Sequence, residues 1–445
     1  MTSEPGYRES YVWFWPPGAT APVAAGRFAY YGGPLQFNYG QRYLERPQAT
    51  ALYAPELPLR AGRLPLLKDL TMPGCLRDAA PQDWGRRVLI NRKLGLKGAP
   101  TAALELPELG YFLESGSDRI GALDFQASPT EYVPRLVGAA TLDELLASAE
   151  RVERGVPLSP DLDYALRYGS SIGGARPKAL FDTPEASAKL IAKFPGNSDL
   201  YSVVKAEFIA MRLATLAGLQ VAPVRLAHAA GKDVLLVERF DRIKSGDGWQ
   251  RRAVVSAMTL FELNDLQARY ASYEDFAELV RHRFTDAVAT LRELFARLVF
   301  NILCGNTADH ARNHSAFWDG TMLALTPAYD ICPQARSANA ASQAMLITGN
   351  DNLSRLSTCL KAAHHFLLAE TEALAIIERQ LQVIAEHWRE LCEEVGLSAT
   401  DRALLWGRAF LNPFAFEDLG GDAARLRALA LDLRKPRALK QLSLL

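Results

Sequence analysis

One short segment, NTADHARNHSAFW (residues 306–318), contains several side chains that can act in acid–base or metal chemistry. It follows an apolar run, LRELFARLVFNILCG, and contains Asp309, His310, Asn313 and His314. The spacing His310-x3-His314 is that of two zinc ligands on one face of a helix, although a third ligand at a fixed spacing is lacking. The alternative chemistry is phosphoryl transfer, in which an asparagine and an aspartate hold Mg²⁺.

The other parts that phosphoryl transfer requires occur in the order of a protein kinase. Small residues in SSIGGARPKAL, residues 170–180, let backbone N–H groups approach a phosphate. Lys193 ends the apolar segment SAKLIAKF, where its ammonium could meet phosphate or its stem could lie along the strand edge. Glu207 could pair with Lys193. Asp330, in LTPAYDICP, follows Asn313 by 17 positions, and the two could hold Mg²⁺ together.

Each of these features also has a purely structural interpretation when it is taken alone. Paired glycines commonly form turns, and Asp330 could cap a turn before Pro333. Glu207 could be an ordinary exposed glutamate on a helix. The ordered combination therefore carries more weight than any single residue.

Strands and helices must position these residues, and the apolar periodicity predicts both. SAKLIAKF alternates like a strand, SVVKAEFIAMRLATLAGL has helical spacing that stops at Gly218, and VLLVERFDR is typical of a buried strand. TDAVATLRELFARLVFNILCG predicts a long helix that starts near Thr285 or Asp286. Further helices are predicted for RDAAPQDWGRRVLINRKLG, for TLDELLASAERVERG with Thr141 as the N-cap, and for most of residues 358–395.

The composition is that of a globular protein with more than one domain. The 445 residues are 49% hydrophobic, and 50 basic residues balance 50 acidic ones, which offers no support for a nucleic-acid or membrane surface. Five scattered cysteines without a C-x-x-C pair argue against a disulfide framework and favour a reducing cytoplasm. MTSEPGYRES lacks an apolar core, and no run of about 18 apolar residues occurs, so neither a signal peptide nor a membrane helix is expected.

Shifts in composition predict three parts. Residues 1–125, rich in aromatic residues, Pro and Gly, predict a small α+β module. Residues 126–265 have the strand–helix–strand order of a kinase small lobe with its phosphate loop, and residues 266–445 predict a helical large lobe with the catalytic loop. The basic segment RLRALALDLRKPRALK predicts a solvated helical face, with a partner or phosphate surface as the alternative. The fold class is therefore α+β, a two-lobed protein-kinase-like fold with a small β-containing N-terminal module and a mostly helical C-terminal lobe.

The motifs together resemble the HipA-type serine/threonine kinase toxins of bacterial type II toxin–antitoxin systems. The matching stretches, in family order and with comparable spacing, are SSIGGARPKAL, LIAKF, KAEFIAMRLA, VERFDR, GNTADHARNHSAF and PAYDICP. RDAAPQDWGRR and RIGALDF resemble the amino-terminal module of the same family. The likeness covers most of the chain.

The resemblance implies a role for each matching residue. Lys193 would hold the α- and β-phosphates, and Asn313 and Asp330 would hold Mg²⁺. Ser171, or Ser170, would be autophosphorylated, which would withdraw the phosphate loop and silence the enzyme. The residues implied to surround ATP are Gly173, Gly174, Ala175, Arg176 and Lys178 in the phosphate loop, Lys193, the hinge from Glu238 to Phe240 with backbone contacts to adenine, His310, Arg312, Asn313, Tyr329 and Asp330.

The sequence departs from the family pattern at one catalytic position. The family's catalytic aspartate stands five residues before the metal-binding asparagine, and counting back from Asn313 gives Ala308. Asp309 is displaced by one residue, so its side chain is expected to point elsewhere. A methyl group accepts no proton, and loss of that transfer alone lowers activity by about 10²–10⁴-fold. We favour an engineered replacement of aspartate, because every other part is present; a natural pseudokinase is the alternative.

The resemblance also implies cofactors and partners. ATP and Mg²⁺ would bind between the lobes, and a HipB-like DNA-binding antitoxin would provide the only link to DNA. The substrate would be a protein, in the family including aminoacyl-tRNA synthetases, whose phosphorylation halts translation and produces dormancy. Two alternatives come from other classes: a non-catalytic regulator that binds nucleotide and a partner, and a metal-dependent hydrolase that uses Asp309, His310 and His314.

Overall fold

The computed structural model describes residues 7–97, 106–135, 140–158, 171, 173–183, 188–334 and 340–434. The predicted phosphorylation candidate Ser170 and the basic residues 435–445 lie outside these ranges. Within them, helices occur together with several antiparallel sheets, which agrees with the predicted α+β class.

A four-stranded antiparallel sheet in the order β3-β2-β1-β4 organises the N-terminal part. Its strand β4 arrives from much later in the chain and closes the sheet beside β1. Phe28, Phe112 and Phe125 cover one face, with ring centroids 4.4–5.9 Å apart. The strands are β1 (Glu9–Phe14), β2 (Val23–Tyr30), β3 (Leu35–Tyr39) and β4 (Leu123–Gln126), and the helices are Gln41–Leu44, Gly74–Arg77, Asp83–Lys97 and Glu108–Glu114.

A second antiparallel sheet, in the order β5-β6-β8-β7, forms the small lobe. Its strands are β5 (Lys178–Asp182), β6 (Lys189–Lys193), β7 (Val224–Ala229) and β8 (Lys232–Glu238). The helix Val203–Leu216 follows β6 and stops before Gly218, whose φ of +92° suits a glycine. The predicted strand–helix–strand pattern is confirmed, and β5 and β7 are strands that the sequence patterns did not single out.

The helix Leu142–Glu153 packs against the small-lobe sheet. Thr141 is its N-cap, as predicted, and the structure adds a capping box with Glu144. Trp84 and Val88, from the helix Asp83–Lys97, are fully buried in the same core. Part of the N-terminal sequence is thus built into the small lobe.

Short strands link the small lobe to the catalytic loop. β9 (Arg242–Ser245) and β10 (Gly248–Arg251) form a hairpin. β11 (Ala253–Ser256), β12 (Ser315–Trp318) and β13 (Leu323–Leu325) form a three-stranded antiparallel sheet. Because β12 follows the catalytic loop directly, its pairing with β11 fixes where that loop ends.

The large lobe is mostly helical, as predicted. Asp286 caps its central helix, Ala287–Cys304, which ends at Gly305 in a left-handed conformation with φ of +73°. None of the helices in the described ranges is long and apolar enough to cross a membrane. The helices are Ala257–Leu260, Tyr273–Arg283, Ala287–Cys304, Leu356–Ala362, Glu370–Glu394, Ala399–Leu405 and Ala424–Leu433, and the 3₁₀ turns are Asp265–Tyr270, Ala311–Asn313, Ala363–Phe366, Pro413–Phe416 and Gly421–Ala423.

A buried ion network joins the N-terminal part to the small lobe. Arg239 binds Asp118 and Asp241, and Arg242 binds the same two carboxylates, with N–O distances of 2.7–3.0 Å. Gly121 N–H donates to Asp241 Oδ2 over 2.7 Å. We call Asp118, Arg239, Asp241 and Arg242 the junction network; it holds the segment around Gly121 at the mouth of the cleft.

Candidate nucleotide-binding and catalytic site

A cavity of about 360 Å³ lies between the small lobe, the large lobe and the N-terminal part. This volume is within the range of about 300–1,000 Å³ that is usual for small-molecule sites. The cavity brings together Ala308 and all thirteen residues implied to surround ATP, namely Gly173, Gly174, Ala175, Arg176, Lys178, Lys193, Glu238, Phe240, His310, Arg312, Asn313, Tyr329 and Asp330.

Lys193 is the centre of an ion cluster on the cavity wall. Its Nζ lies 2.5 Å from Glu207 Oε1 and 2.5 Å from Asp330 Oδ1, so the predicted partner Glu207 does pair with it. β6 supplies the lysine, the next helix supplies the buried glutamate, and Asp330 comes from the large lobe. We call Lys193, Glu207 and Asp330 the cleft cluster.

The cleft cluster fixes the charges of its members. Burial alone would raise the pKa of Asp330, but the ammonium groups of Lys193 and Lys178 outweigh it and lower that pKa. Burial likewise opposes the charge on Lys193, but Asp330 and Glu207 raise its pKa. Asp330 keeps a partly exposed side chain toward the cavity, so one carboxylate edge remains open to a cation.

The phosphate loop runs from residue 173 to 178, and contacts of Arg176 and Pro177 hold it in place. Phe194 N–H donates to Pro177 O over 3.0 Å, and β5 then pairs with β6 so that Lys178 faces Lys193. Arg176 forms a 3.0 Å ion pair with Asp199, which holds its guanidinium beside the cavity. The loop therefore presents backbone amides and basic side chains to one space, an arrangement suited to anions.

Lys178 is a buried lysine in this loop. Burial, and then the neighbouring charge of Lys193, lowers the pKa of Lys178 to about 8. A Cβ atom on Gly174 would lie 2.5 Å from Lys178 Nζ, and Gly174 has a φ of +91°. Only glycine suits this position, because any side chain would strain the backbone and collide with the ammonium group.

The catalytic loop places Ala308 and Asp309 on opposite sides. Ala308 is exposed and lines the cavity, whereas Asp309 is buried. Asp309 Oδ1 lies 2.8 Å from His314 Nε2, and Tyr273 donates its hydroxyl hydrogen to the other carboxylate oxygen. Burial would raise the pKa of Asp309, but the adjacent His314 lowers it. As expected from its displacement by one residue, Asp309 points away from the cleft.

Asn313 is oriented by the same loop. Its side-chain amide donates to the Ala308 carbonyl oxygen over 3.3 Å, which directs its Oδ1 away from that carbonyl. Asp330 has a φ of +60°, a backbone conformation that non-glycine residues adopt mainly at turns and functional sites. An amide oxygen and an open carboxylate on one cavity are hard donors that fit Mg²⁺.

The segment before Asp330 is tied to both lobes. Ala328 N–H donates to Gln220 O over 2.8 Å, and Tyr329 donates its hydroxyl hydrogen to Arg312 O over 2.8 Å. The hydroxyl groups of Tyr329 and Ser315 also lie 2.6 Å apart. These contacts explain how Asp330, far from Asn313 in the chain, reaches the same cavity.

The remaining wall is apolar and suits a flat ring. Phe240 lies 5.6 Å from Tyr329 and 5.7 Å from Phe317, centroid to centroid, and Ile191 and Val237 also line the cavity. Glu238 N–H, implied to be part of the hinge, donates to Pro223 O over 2.9 Å. That amide is already engaged within the small lobe.

Several cavity residues were missed from the sequence. The N-terminal part contributes Phe14, Leu52, Cys75, Asp78, Gln82 and residues 120–123 to the lining. Arg239, inside the predicted hinge from Glu238 to Phe240, and the following Asp241 and Arg242 belong to the junction network. Two motifs that resemble the family, RDAAPQDWGRR and RIGALDF, contain several of these cavity residues. The sequence alone does not show which parts of the fold these motifs contact.

The two histidines of the zinc alternative lie in different environments. His310 is exposed on the cavity, and His314 is buried beside Tyr273 and Asp309. A three-residue 3₁₀ turn, Ala311–Asn313, separates them in place of a regular helix. Within the described ranges, no group of three or more His, Cys, Asp or Glu side chains is placed to hold a metal ion.

Comparisons with known proteins find similar sequences and a similar fold. Residues 170–388 match the family model of the HipA-like C-terminal domain. A presumed kinase of Sinorhizobium fredii is 28% identical over 330 residues, which cover 67% of this chain and 72% of that protein. The serine/threonine-protein kinase toxin HipA of Shewanella oneidensis is 27% identical over 186 residues, 36% of this chain and 42% of the toxin.

A solved structure extends the similarity to the fold of nearly the whole chain. HipA of Shewanella oneidensis, determined with HipB and operator DNA, superposes with a TM-score of 0.64 at 17% identity, covering 95% of this chain and 96% of that one. The relatives are named as kinases, and this chain is similar to them. More particularly, it contains a HipA-like C-terminal domain, and the resemblance to HipA-type kinases is confirmed.

Proposed function

We propose that this chain is the silenced form of an ATP- and Mg²⁺-dependent serine/threonine protein kinase of the toxin type. The observation that carries the proposal is the placement of Ala308. Its methyl group is exposed on the cavity beside Asn313, whereas Asp309 is buried against His314. We infer that a proton acceptor is missing at the position where the family pattern has its catalytic aspartate.

The remaining residues support binding and orientation of MgATP. Lys193 and Lys178 would neutralise phosphate oxygens, and backbone N–H groups of the loop other than that of Gly174 would approach them. Asn313 and Asp330 would hold Mg²⁺, which would offset negative charge on the phosphates. Phe240 and Tyr329 would border the adenine. The relative from Shewanella oneidensis is named a serine/threonine-protein kinase toxin, and this name supports the assignment.

Autophosphorylation is proposed at Ser171. Its side chain is buried, and its hydroxyl donates to Asp118 O over 3.1 Å. A phosphate group could not fit that contact, so modification would release the segment before the phosphate loop. Phosphopeptide mapping of the active form should find the phosphate on Ser171; a phosphate confined to Ser170 would contradict this choice.

The partner and substrate are proposed from the relatives. A HipB-like DNA-binding antitoxin is supported by the Shewanella HipA complex with HipB and operator DNA. The acceptor would be a serine or threonine of a protein. In the family, the substrates include aminoacyl-tRNA synthetases. Comparing the phosphoproteome of cells that express the Ala308→Asp chain and the unaltered chain tests this; normal growth with no new phosphosite would refute the toxin assignment.

The decisive experiment restores the base. Ala308→Asp should raise transfer of the γ-phosphate from labelled ATP to protein by about 10²–10⁴-fold. Ala308→Asn is the matched control, because it restores size and polarity without a proton acceptor, and it should remain inactive. ATP binding by the unaltered chain together with no gain in Ala308→Asp would instead favour a nucleotide- and partner-binding regulator.

A further inference from the structure

The amino-terminal end of the phosphate loop is held by residues from far earlier in the chain. Gly174 N–H donates to Gln82 Oε1 over 2.9 Å. Gly174 O accepts from Trp84 N–H over 3.0 Å. The Trp84 indole N–H donates to Lys178 O over 2.8 Å. Both backbone groups of Gly174 and the carbonyl of Lys178 are therefore engaged by a single short segment, residues 82–84.

The two glycines of the loop leave room for the contacts with Gln82 and Lys178. A Cβ atom on Gly173 would lie 2.7 Å from the side-chain carbonyl group of Gln82. A Cβ on Gly174 would lie 2.5 Å from Lys178 Nζ. The glycine pair thus lets the loop lie between Gln82 on one side and Lys178 on the other.

Gln82 and Trp84 differ in how firmly they are fixed. Trp84 is fully buried in the small-lobe core with Val88 and Phe194, so its indole group is immobile relative to β6. Gln82 is only partly buried and lines the cavity. The loop is consequently tied to a rigid core at Trp84 and to an adaptable side chain at the cavity wall.

A glycine-rich loop needs such support if its amides are to meet phosphates. Glycine loses more conformational freedom than other residues when it is ordered, and a ligand that must order a loop binds more weakly. Contacts that order the loop beforehand remove part of that loss. The Gly174 N–H is committed to Gln82, so it shapes the loop and is not available to a phosphate.

We propose that Gln82 and Trp84 are positioning residues that hold the phosphate loop in its nucleotide-accepting conformation. This inference rests on the proposed nucleotide site and assigns part of that site to the N-terminal part of the chain. It gives the N-terminal part a role in nucleotide affinity that is separate from recognition of a partner.

The test compares three variants of the full chain. Gln82→Met keeps the length of the side chain but removes the acceptor of the Gly174 amide. Gln82→Glu keeps an acceptor there. Gln41→Met is the control, because Gln41 lies on an exposed helix and bonds only to Glu45 in the described contacts. Hydrogen–deuterium exchange of residues 173–178 and ATP affinity are measured for each, with thermal unfolding to verify the fold.

Gln82→Met should speed exchange at Gly174 and weaken ATP binding about two- to tenfold, the effect of one hydrogen bond. Gln82→Glu should restore slow exchange, and Gln41→Met should change neither quantity. In the Ala308→Asp background, Gln82→Met should raise the KM for ATP and leave kcat nearly unchanged. A general loss of folded protein would lower the apparent kcat without that rise in KM.

The outcomes separate the two proposals. Unchanged exchange at Gly174, or unchanged ATP affinity, in Gln82→Met would overturn the positioning role while the nucleotide site stands. Failure of the unaltered chain to bind ATP would overturn both. Trp84→Phe, which removes the bond to Lys178 O but keeps an aromatic ring in the core, should shift exchange and KM in the same direction as Gln82→Met.

Discussion

The junction network and the cleft cluster are both groups of buried opposite charges, but they differ in what surrounds them. In the junction network, Arg239, Asp241 and Arg242 have side chains no more than 2% exposed and are paired with one another, although Arg239 and Asp241 also border the cavity. In the cleft cluster, Asp330 is 39% exposed and faces the cavity. The first arrangement is closed, and the second is open to a ligand.

The hydrogen-bond partners sharpen this difference. Arg242 also donates to Gly121 O and to Arg119 O, and Arg239 donates to Arg119 O. These backbone acceptors belong to the N-terminal part, so the junction network joins two regions of the chain. Buried charges that are fully paired serve position, whereas a perturbed cluster with an open face in a cleft is typical of a functional site.

The largest effect is expected from breaking the junction network. Asp241→Asn removes the carboxylate whose pKa Arg239 and Arg242 lower against the effect of burial, and it leaves both arginines undercompensated. We expect the free energy of unfolding to fall by about 3–5 kcal/mol. Chemical denaturation measures it.

A matched control uses an exposed ion pair on the small-lobe sheet. Asp182 pairs with Lys189 and is 40% exposed, so Asp182→Asn should change the free energy of unfolding by less than about 1 kcal/mol. Equal effects of Asp241→Asn and Asp182→Asn would show that the junction network contributes no more than a surface pair, and the contrast with the cleft would fail.

A second prediction concerns the open cluster. Lys193→Met should weaken ATP binding by about 10–100-fold, because charge-assisted contacts to the phosphates are lost. Its effect on the free energy of unfolding should be smaller than that of Asp241→Asn, since solvent in the cavity reaches Asp330. Isothermal titration with ATP, beside denaturation, measures both quantities.

The control for this variant lies on the same strand. Lys189 is on β6 as well but pairs with Asp182, lies 3.9 Å from Asp118 of the junction network and is not part of the cavity lining. Lys189→Met should therefore leave ATP affinity unchanged. If Lys193→Met binds ATP as tightly as the unaltered chain, the cleft cluster is structural like the junction network.

The two clusters also differ in how far the sequence predicted them. Lys193 and Glu207 could be paired in advance because a strand followed by a helix has a limited set of geometries, and the distance of 2.5 Å agrees. Thr141 and Gly218 marked helix ends through local capping chemistry that depends on only a few neighbouring residues. Such features are decided within one or two elements.

The junction network and the loop contacts of Gln82 were not predictable in the same way. Asp118 and Arg242 are 124 positions apart, and Gln82 and Gly174 are 92 apart. Their local patterns indicate only a helix or a polar segment, and the pairing depends on how whole elements dock. The segment from Glu238 to Phe240 was accordingly interpreted as a hinge, although Arg239 within it binds the N-terminal part.

The smallest predicted effect is a pH dependence confined to the cleft. Burial and the charge of Lys193 lower the pKa of Lys178 to about 8, with Asp330, Glu207 and Arg176 as its other charged neighbours. The unfolded chain has a lysine pKa of about 10.4 and so binds more protons between pH 8 and 10.4. The contribution of Lys178 to the free energy of unfolding therefore rises with pH between pH 8 and 10.4. Below pH 8 the lysine is protonated in both states, so this contribution does not change with pH.

Nucleotide affinity should change in the opposite direction over the same window. Phosphate binding favours the ammonium form, and a one-unit rise in the Lys178 pKa on binding corresponds to about a tenfold fall in affinity as that group deprotonates. We therefore expect ATP affinity to decrease by up to about tenfold from pH 7.5 to 9.5, measured by titration at each pH. Lys178→Met should abolish both slopes. The junction carboxylates have lowered pKa values and do not titrate there, so a slope that survives in Lys178→Met would show that the charge sensitivity lies outside the phosphate loop.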